Sequence, residues 1–288
     1  MEFKEFQQVT QQTDQRPGRE LDDIVVHLLG LAGEAGSVAS EYKKMLRDGQ
    51  AHAWWKPRMR EELGDVLWYV AAIATHLELD LNEIAQANLE KTRDRWMLST
   101  SAPLDATFPD PERLPRQGFY EFVPARSESG RPAVDIYLDD VKVGATLTDA
   151  SHVEDGYRFH DVFHLSYAVM LGWSPVTRLL LSRKRKSNEQ VDENEDGGRA
   201  IVVEEGIAAL VFGYASQHSM LENINRLDQR LLDSIQMVTG QFEVGARSQA
   251  NWEAAILKGF EMFRLLVAHQ GGRVHFDADA GELRFEAP

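Results

Sequence analysis

The sequence predicts a mainly α protein in two parts. The first is an N-terminal all-α four-helix bundle; the second is a C-terminal helical domain with a small β element, α+β in class. Three observations lead there. Apolar residues recur at helical spacing through the first hundred positions, a proline-rich break follows, and alternating strand-like patterns are confined to two stretches. A chain of 288 residues has room for two domains.

In the first part, Phe3, Phe6 and Val9 mark a short helix over 3–15. Leu21, Ile24, Leu28, Leu31, Ala35, Val38 and Met45 mark a long one over 21–46, which Gly49 ends. A third helix is expected from about 57 to 77 and a fourth from about 81 to 96, with Asp80 as its cap. Short connections imply antiparallel neighbours, hence a bundle over 1–98. Residues 99–117 carry four prolines and little periodicity, the marks of a linker or an irregular wrap.

From 118 to 288 a different domain is expected. "GFYEFVPARSESGRPAVDIYLDDVKVGATL" reads as strands around a turn. Helical patterns follow at about 156–172, 174–187, 199–219, 221–239 and 249–270, with Ser174 and Pro175 as a cap and first-turn pair. "RVHFDADAGELRFEAP" closes with a hairpin signal.

Composition narrows the function. A net charge of −15 argues against a general nucleic-acid binder, because phosphates need a positive face. The absence of cysteine removes thiolate chemistry and fits a reducing cytoplasm. No apolar run is long enough to span a bilayer, so a soluble, cytoplasmic protein without a membrane partner is expected.

The chemistry-bearing residues sit on the second and third helices. Glu34 and Ser37, then Glu62 and Asp65, are spaced i, i+3, so each pair projects from one helix face. Two such faces packed together need a cation between their carboxylates. Oxygen donors alone favour Mg²⁺ or Mn²⁺, with phosphate oxygens of a substrate as further ligands.

The segments "GLAGEAGS", "EELGDVLWYVAAIA" and "LDLNEIAQANLEKTRDRW" carry a resemblance. In that order they resemble the MazG-type all-α nucleoside triphosphate pyrophosphohydrolases, whose pattern is Glu-x-x-Glu, a spacer, Glu-x-x-Asp, then an Asn and a Lys one turn apart. The resemblance covers 1–98. It implies a Mg²⁺-dependent cut between the α and β phosphates of a nucleotide, releasing a monophosphate and pyrophosphate. Carried over, Glu34, Glu62 and Asp65 become metal-holding catalytic residues, and Asn88 and Lys91 hold phosphates. Arg95, a turn beyond Lys91, and Lys44, beside Lys43, are further phosphate candidates.

Ser37 departs from the pattern, standing where the family has a glutamate. Glu41, one turn on, is the candidate replacement ligand, and Glu61 points about 100° away from Glu62. The departure predicts lower activity, an altered metal requirement or a changed substrate. It also leaves open a nucleotide sensor of a stress or antiphage system with a degenerate site. Apolar residues such as Leu67, Trp68 and Tyr69 exceed what so small a bundle covers, which predicts a homodimer or homotetramer.

In the second part His160 and His164 are spaced i, i+4 and can share one transition metal, with a further ligand from "VVEEGIAAL", where Glu204, the first candidate, and Glu205 interrupt an apolar helix. The alternative is a pair of core histidines. The cations Arg183 to Lys186 are expected at a helix C-terminus, facing solvent.

Overall fold

A computed structural model describes residues 1–18, 20–99 and 102–288. The chain divides into two compact units, Met1–Arg93 and Asp94–Pro288.

The first unit has the four expected helices: α1 (Phe3–Thr10), α2 (Leu21–Asp48), α3 (Trp55–His76) and α4 (Leu81–Trp96), whose last residues belong to the second unit. Its centre is the antiparallel pairing of α2 with α3, with α1 laid on α3. Gly30 explains how closely α2 and α3 approach, since a Cβ there would stand 2.3 Å from the Tyr69 ring. Gln7 fastens α1 to the start of α4, its Oε1 accepting from the Leu81 N–H at 2.9 Å and its Nε2 donating to the Leu79 carbonyl at 2.8 Å. Asp80 caps α4 as expected, its Oδ1 accepting from the Asn82 N–H at 2.7 Å. Among the described residues α4 has no packing on α2 or α3 comparable to theirs on each other. Leu21, Leu29, Leu63 and Leu89 stay exposed.

The second unit is one five-stranded antiparallel sheet against helices. Its strands are β1 (Gln117–Arg126), β2 (Pro132–Leu138), β3 (Val141–Thr148), β4 (Gly272–Asp277) and β5 (Glu282–Glu286), in the order β3-β2-β1-β4-β5. The two stretches of strand pattern therefore form a single sheet, joined where Tyr120 pairs with Val274. Asp139 and Asp140 make the tight β2–β3 turn, both at positive φ, as a two-residue hairpin requires.

The helices are α5 (Asp161–Met170), α6 (Pro175–Leu180), α7 (Glu189–Asn194), α8 (Gly198–Ser216), α9 (Gln229–Thr239) and α10 (Gln249–His269). The core lies where α5 meets α10, with Phe163 stacked on Phe260 at 4.4 Å. Ser174 caps α6 as the sequence indicates, and Ser248 with Asn251 forms a capping box on α10.

Three sequence expectations are corrected here. The stretch expected as a linker, whose Thr100 and Ser101 lie outside the described residues, is built into the second unit. Asp105 is buried, accepting from the Leu114 N–H at 2.8 Å and from Arg178 at 2.9 Å. The helix expected over 174–187 stops at Leu180. The basic run beyond it is not a solvated helix end: Arg185 is fully buried between Asp196 and Glu243, and Arg183 donates to the carbonyls of Asp110 and Arg113. Two carboxylates hold the Arg185 guanidinium and loop carbonyls hold that of Arg183, partners that charge alone does not foretell.

Candidate functional site

The α2–α3 pairing brings together the three acids that the spacing singled out. One oxygen each from Glu34, Glu62 and Asp65 lies within 4.8 Å of the others. Glu34 and Glu62 are half-buried, and Asp65 is exposed, so the cluster opens to solvent. None of the three forms an ion pair among the described residues. A Cβ at Gly33, Gly36 or Gly64 would meet nothing within 4 Å, which leaves open space beside both acid-bearing turns. Three uncompensated carboxylates beside open space suit a hard divalent cation that also takes ligands from outside the protein.

Two expected participants lie elsewhere. Glu41 does not replace the missing acid at Ser37. It is 2 % exposed, one oxygen accepting from Lys44 at 3.0 Å and the other held by His52. Those two hydrogen bonds, from Lys44 and then His52, hold its carboxyl below the usual glutamate range. Lys44 is thereby engaged with Glu41, although its side chain remains partly exposed. Arg95 is 7 % exposed and tied to Glu253 at 3.2 Å and to the Leu227 carbonyl at 3.0 Å, so its guanidinium is already engaged within the second unit. Asn88 and Lys91 are exposed on α4, which is not packed on the acid-bearing helices.

A second cluster of this unit escaped the sequence reading. Asp14, His27 and His76 bring donor atoms within 4.8 Å of one another, with His27 Nε2 3.0 Å from Asp14 Oδ1. The His27 Nδ1–H donates to the Asp23 carbonyl at 2.8 Å, and the ring stacks on Trp68. The three residues come from a loop and from two helices, so no local spacing marks them.

In the second unit His160, Asp161 and His164 converge within the same limit. Glu204 does touch His164, but not as a site for a metal. Its Oε1 accepts from His164 Nδ1 at 2.8 Å and from the Ser174 hydroxyl at 2.6 Å, and its Oε2 accepts from the Val176 N–H at 2.8 Å. Glu205, the next residue on α8, is the carboxylate nearer the other nitrogen of His164, at 3.6 Å.

Comparison with known proteins agrees with both halves. Residues 26–97 match the model of the MazG nucleotide pyrophosphohydrolase domain, and residues 99–288, more than half of the chain, match that of the MazG C-terminal domain. The chain belongs to the MazG family. Over 69 residues, 23% of its length, it is 44% identical to the Gene 37 protein of Mycobacterium phage L5, and those residues cover 60% of that relative, less than two thirds of it. No solved structure matches. The MazG nucleotide pyrophosphohydrolase match contains Glu34, Ser37, Glu62, Asp65, Asn88 and Lys91, while the C-terminal match begins inside the stretch expected as a linker. No helix among the described residues is long and apolar enough to cross a membrane.

Proposed function

We propose that the chain is a Mg²⁺-dependent nucleoside triphosphate pyrophosphohydrolase that cuts between the α and β phosphates of a ribo- or deoxyribonucleotide. The observation that supports it best is the convergence of Glu34, Glu62 and Asp65 on one open spot without a protein cation to offset them. Mg²⁺, or Mn²⁺, would neutralise phosphate charge and polarise the phosphorus–oxygen bonds. The three carboxylates would hold the ion, which would supply charge neutralisation and an activated water for attack on phosphorus. Lys91 and Asn88 carry donors suited to phosphate oxygens, and Lys44, partly exposed on α2 beside Glu41, would add positive charge. Attack on phosphorus asks the protein for little more than position and charge, so no serine, histidine or cysteine nucleophile is needed.

Self-association belongs to this reading. The apolar residues left exposed on α2, α3 and α4 suit burial against a second copy, as a homodimer or homotetramer, and that packing would also give α4 and its Asn88 and Lys91 a place near a set of acids. A cytoplasmic setting agrees with the lack of cysteine.

Ser37 favours one competing reading, a site that grips a nucleotide without turning it over. Incubation with single nucleotides and Mg²⁺ decides between them. Monophosphate and pyrophosphate in equal amounts, lost on adding a chelator, support the enzyme; tight binding with no pyrophosphate supports the sensor.

A further inference from the structure

The second unit contains a cluster that the pyrophosphohydrolase reading does not use. His160 stands at the entry of α5, Asp161 and His164 lie on that helix, and Glu205 faces them from α8. His164 is 1 % exposed, and its Nε2 has no hydrogen-bond partner.

The tautomers follow from the partners. Glu204 already receives the Ser174 hydroxyl and the Val176 N–H, and a carboxylate only accepts, so the proton between it and His164 sits on Nδ1. His160 Nδ1 is 2.9 Å from the Tyr157 carbonyl, which also only accepts, so this ring too carries its proton on Nδ1. In their neutral forms both imidazoles therefore turn a bare Nε2 lone pair toward the same space. There they meet carboxylate oxygens, Asp161 Oδ1 at 3.3 Å from His160 Nε2 and Glu205 Oε2 at 3.6 Å from His164 Nε2. Lone pairs facing lone pairs repel unless a cation lies among them.

The spacings suit such a cation. Donors about 2.0–2.1 Å from a tetrahedral Zn²⁺ stand about 3.4 Å apart, close to the two separations given above; the donors of His160, Asp161 and His164 all lie within 4.8 Å of one another, and Glu205 stands beside them next to His164. The supports have the form usual around metal-ligating histidines, with Nδ1–H held by a carboxylate in one case and a backbone carbonyl in the other. Tyr157 also stacks on His160 at 4.4 Å, fixing the ring plane. Two imidazoles with two carboxylates favour a first-row transition ion over Mg²⁺, which prefers oxygen alone.

We propose that His160, Asp161, His164 and Glu205 form a site for a divalent first-row transition ion, represented by Zn²⁺, which fastens α5 to α8. Glu204 is a positioning residue for His164. The site is independent of the proposed nucleotide site in the first unit. Its competitor is a proton: without a metal, burial disfavours the His164 imidazolium, but the charge and hydrogen bond of Glu204, with the Glu205 carboxylate nearby, outweigh burial and raise its pKa to about 10.

The test uses the full chain, stripped with chelator and titrated with Zn²⁺ alone against a chromophoric competitor in excess Mg²⁺. Binding and the Zn²⁺-induced rise in melting temperature are read in parallel, with circular dichroism as the check on folding. Glu205→Gln alters a side chain that is 45% exposed and leaves the core untouched, and His160→Ala alters one that is 14% exposed at the entry of α5, its fold checked by the same circular dichroism. Each is expected to weaken a single tight site by about tenfold or more, whereas Asp14→Asn, in the other histidine cluster, leaves it unchanged. Co²⁺ in place of Zn²⁺ should give the strong visible bands of four-coordinate cobalt, lost in both variants. Zn²⁺ affinity and stoichiometry unaltered in folded Glu205→Gln and His160→Ala, or no tight Zn²⁺ site in the unaltered chain, would overturn the proposal and leave the proton as occupant.

Discussion

Replacing Glu62 with Gln should make the metal-free protein more stable while removing most of its response to Mg²⁺. The donor atoms of Glu34, Glu62 and Asp65 lie within 4.8 Å of one another, a distance at which two unit charges repel by about 0.9 kcal/mol in water and about 3.5 kcal/mol at an effective dielectric constant of roughly 20. The acids range from half-buried to exposed, so the smaller figure governs. Neutralising Glu62 removes two of the three repulsive pairs, a relief of about 1.7 kcal/mol at low salt. For a domain of this size that raises the melting temperature by roughly 5 °C or more. The assay is thermal unfolding of both proteins at low ionic strength, with and without Mg²⁺, alongside pyrophosphate release. The variant should melt higher than the unaltered protein without Mg²⁺, gain less from it, and release no pyrophosphate. If Glu62→Gln melts lower and keeps its full Mg²⁺-induced rise, the acids do not share an ion and the reasoning fails.

Further outcomes follow from other sites. Ser37→Glu restores the acid that the family pattern carries and should increase pyrophosphate release at limiting Mg²⁺, measured by a coupled phosphate assay, while lowering the melting temperature of the metal-free form. Arg185→Met leaves Asp196 and Glu243 without their shared cation, and urea unfolding should show a loss of about 3–5 kcal/mol in the second unit. Asp105 gives a pH dependence. Burial alone would raise its carboxyl, but the Leu114 N–H and the charges of Arg178 and Arg116 outweigh burial and hold it below the usual aspartate value. The folded pKa is depressed, so its contribution is complete above about pH 4, the unfolded value, and is lost as pH falls through the folded one. Urea midpoints should decline on that acid limb, and Asp105→Asn should flatten it.

The sequence carried most of the helices and the acid triad because both are local patterns. Glu62 and Asp65 lie one turn apart, and the packing of α2 on α3 needed only their apolar stripes and a close-approach glycine. The cap at Ser174 and the final hairpin were legible for the same reason. What was not legible depends on partners far along the chain. Arg95 looks like the next residue on a basic helix face, yet its carboxylate, Glu253, is 158 residues away. Glu41 has the residue type and spacing of a ligand, but His52, beyond the end of the helix, takes the oxygen a metal would need. Asp14, His27 and His76 meet only when a loop and two helices have docked. Glu204 and Glu205 are adjacent in sequence and differ in role because helix geometry turns one inward to Ser174 and the other toward the histidines.

The sheet has a consequence for synthesis. β1 is the middle strand, and its neighbour β4 lies about 150 residues downstream, so at roughly 5–20 residues per second the ribosome needs on the order of 10–30 seconds to supply it. Throughout that interval the β1 edge and the apolar groups of α5 wait uncovered, whereas the helices of the first unit are already complete. A message that stops before Gly272 would release a nascent polypeptide with an open strand edge, a template for aggregation and a substrate for chaperones and proteases.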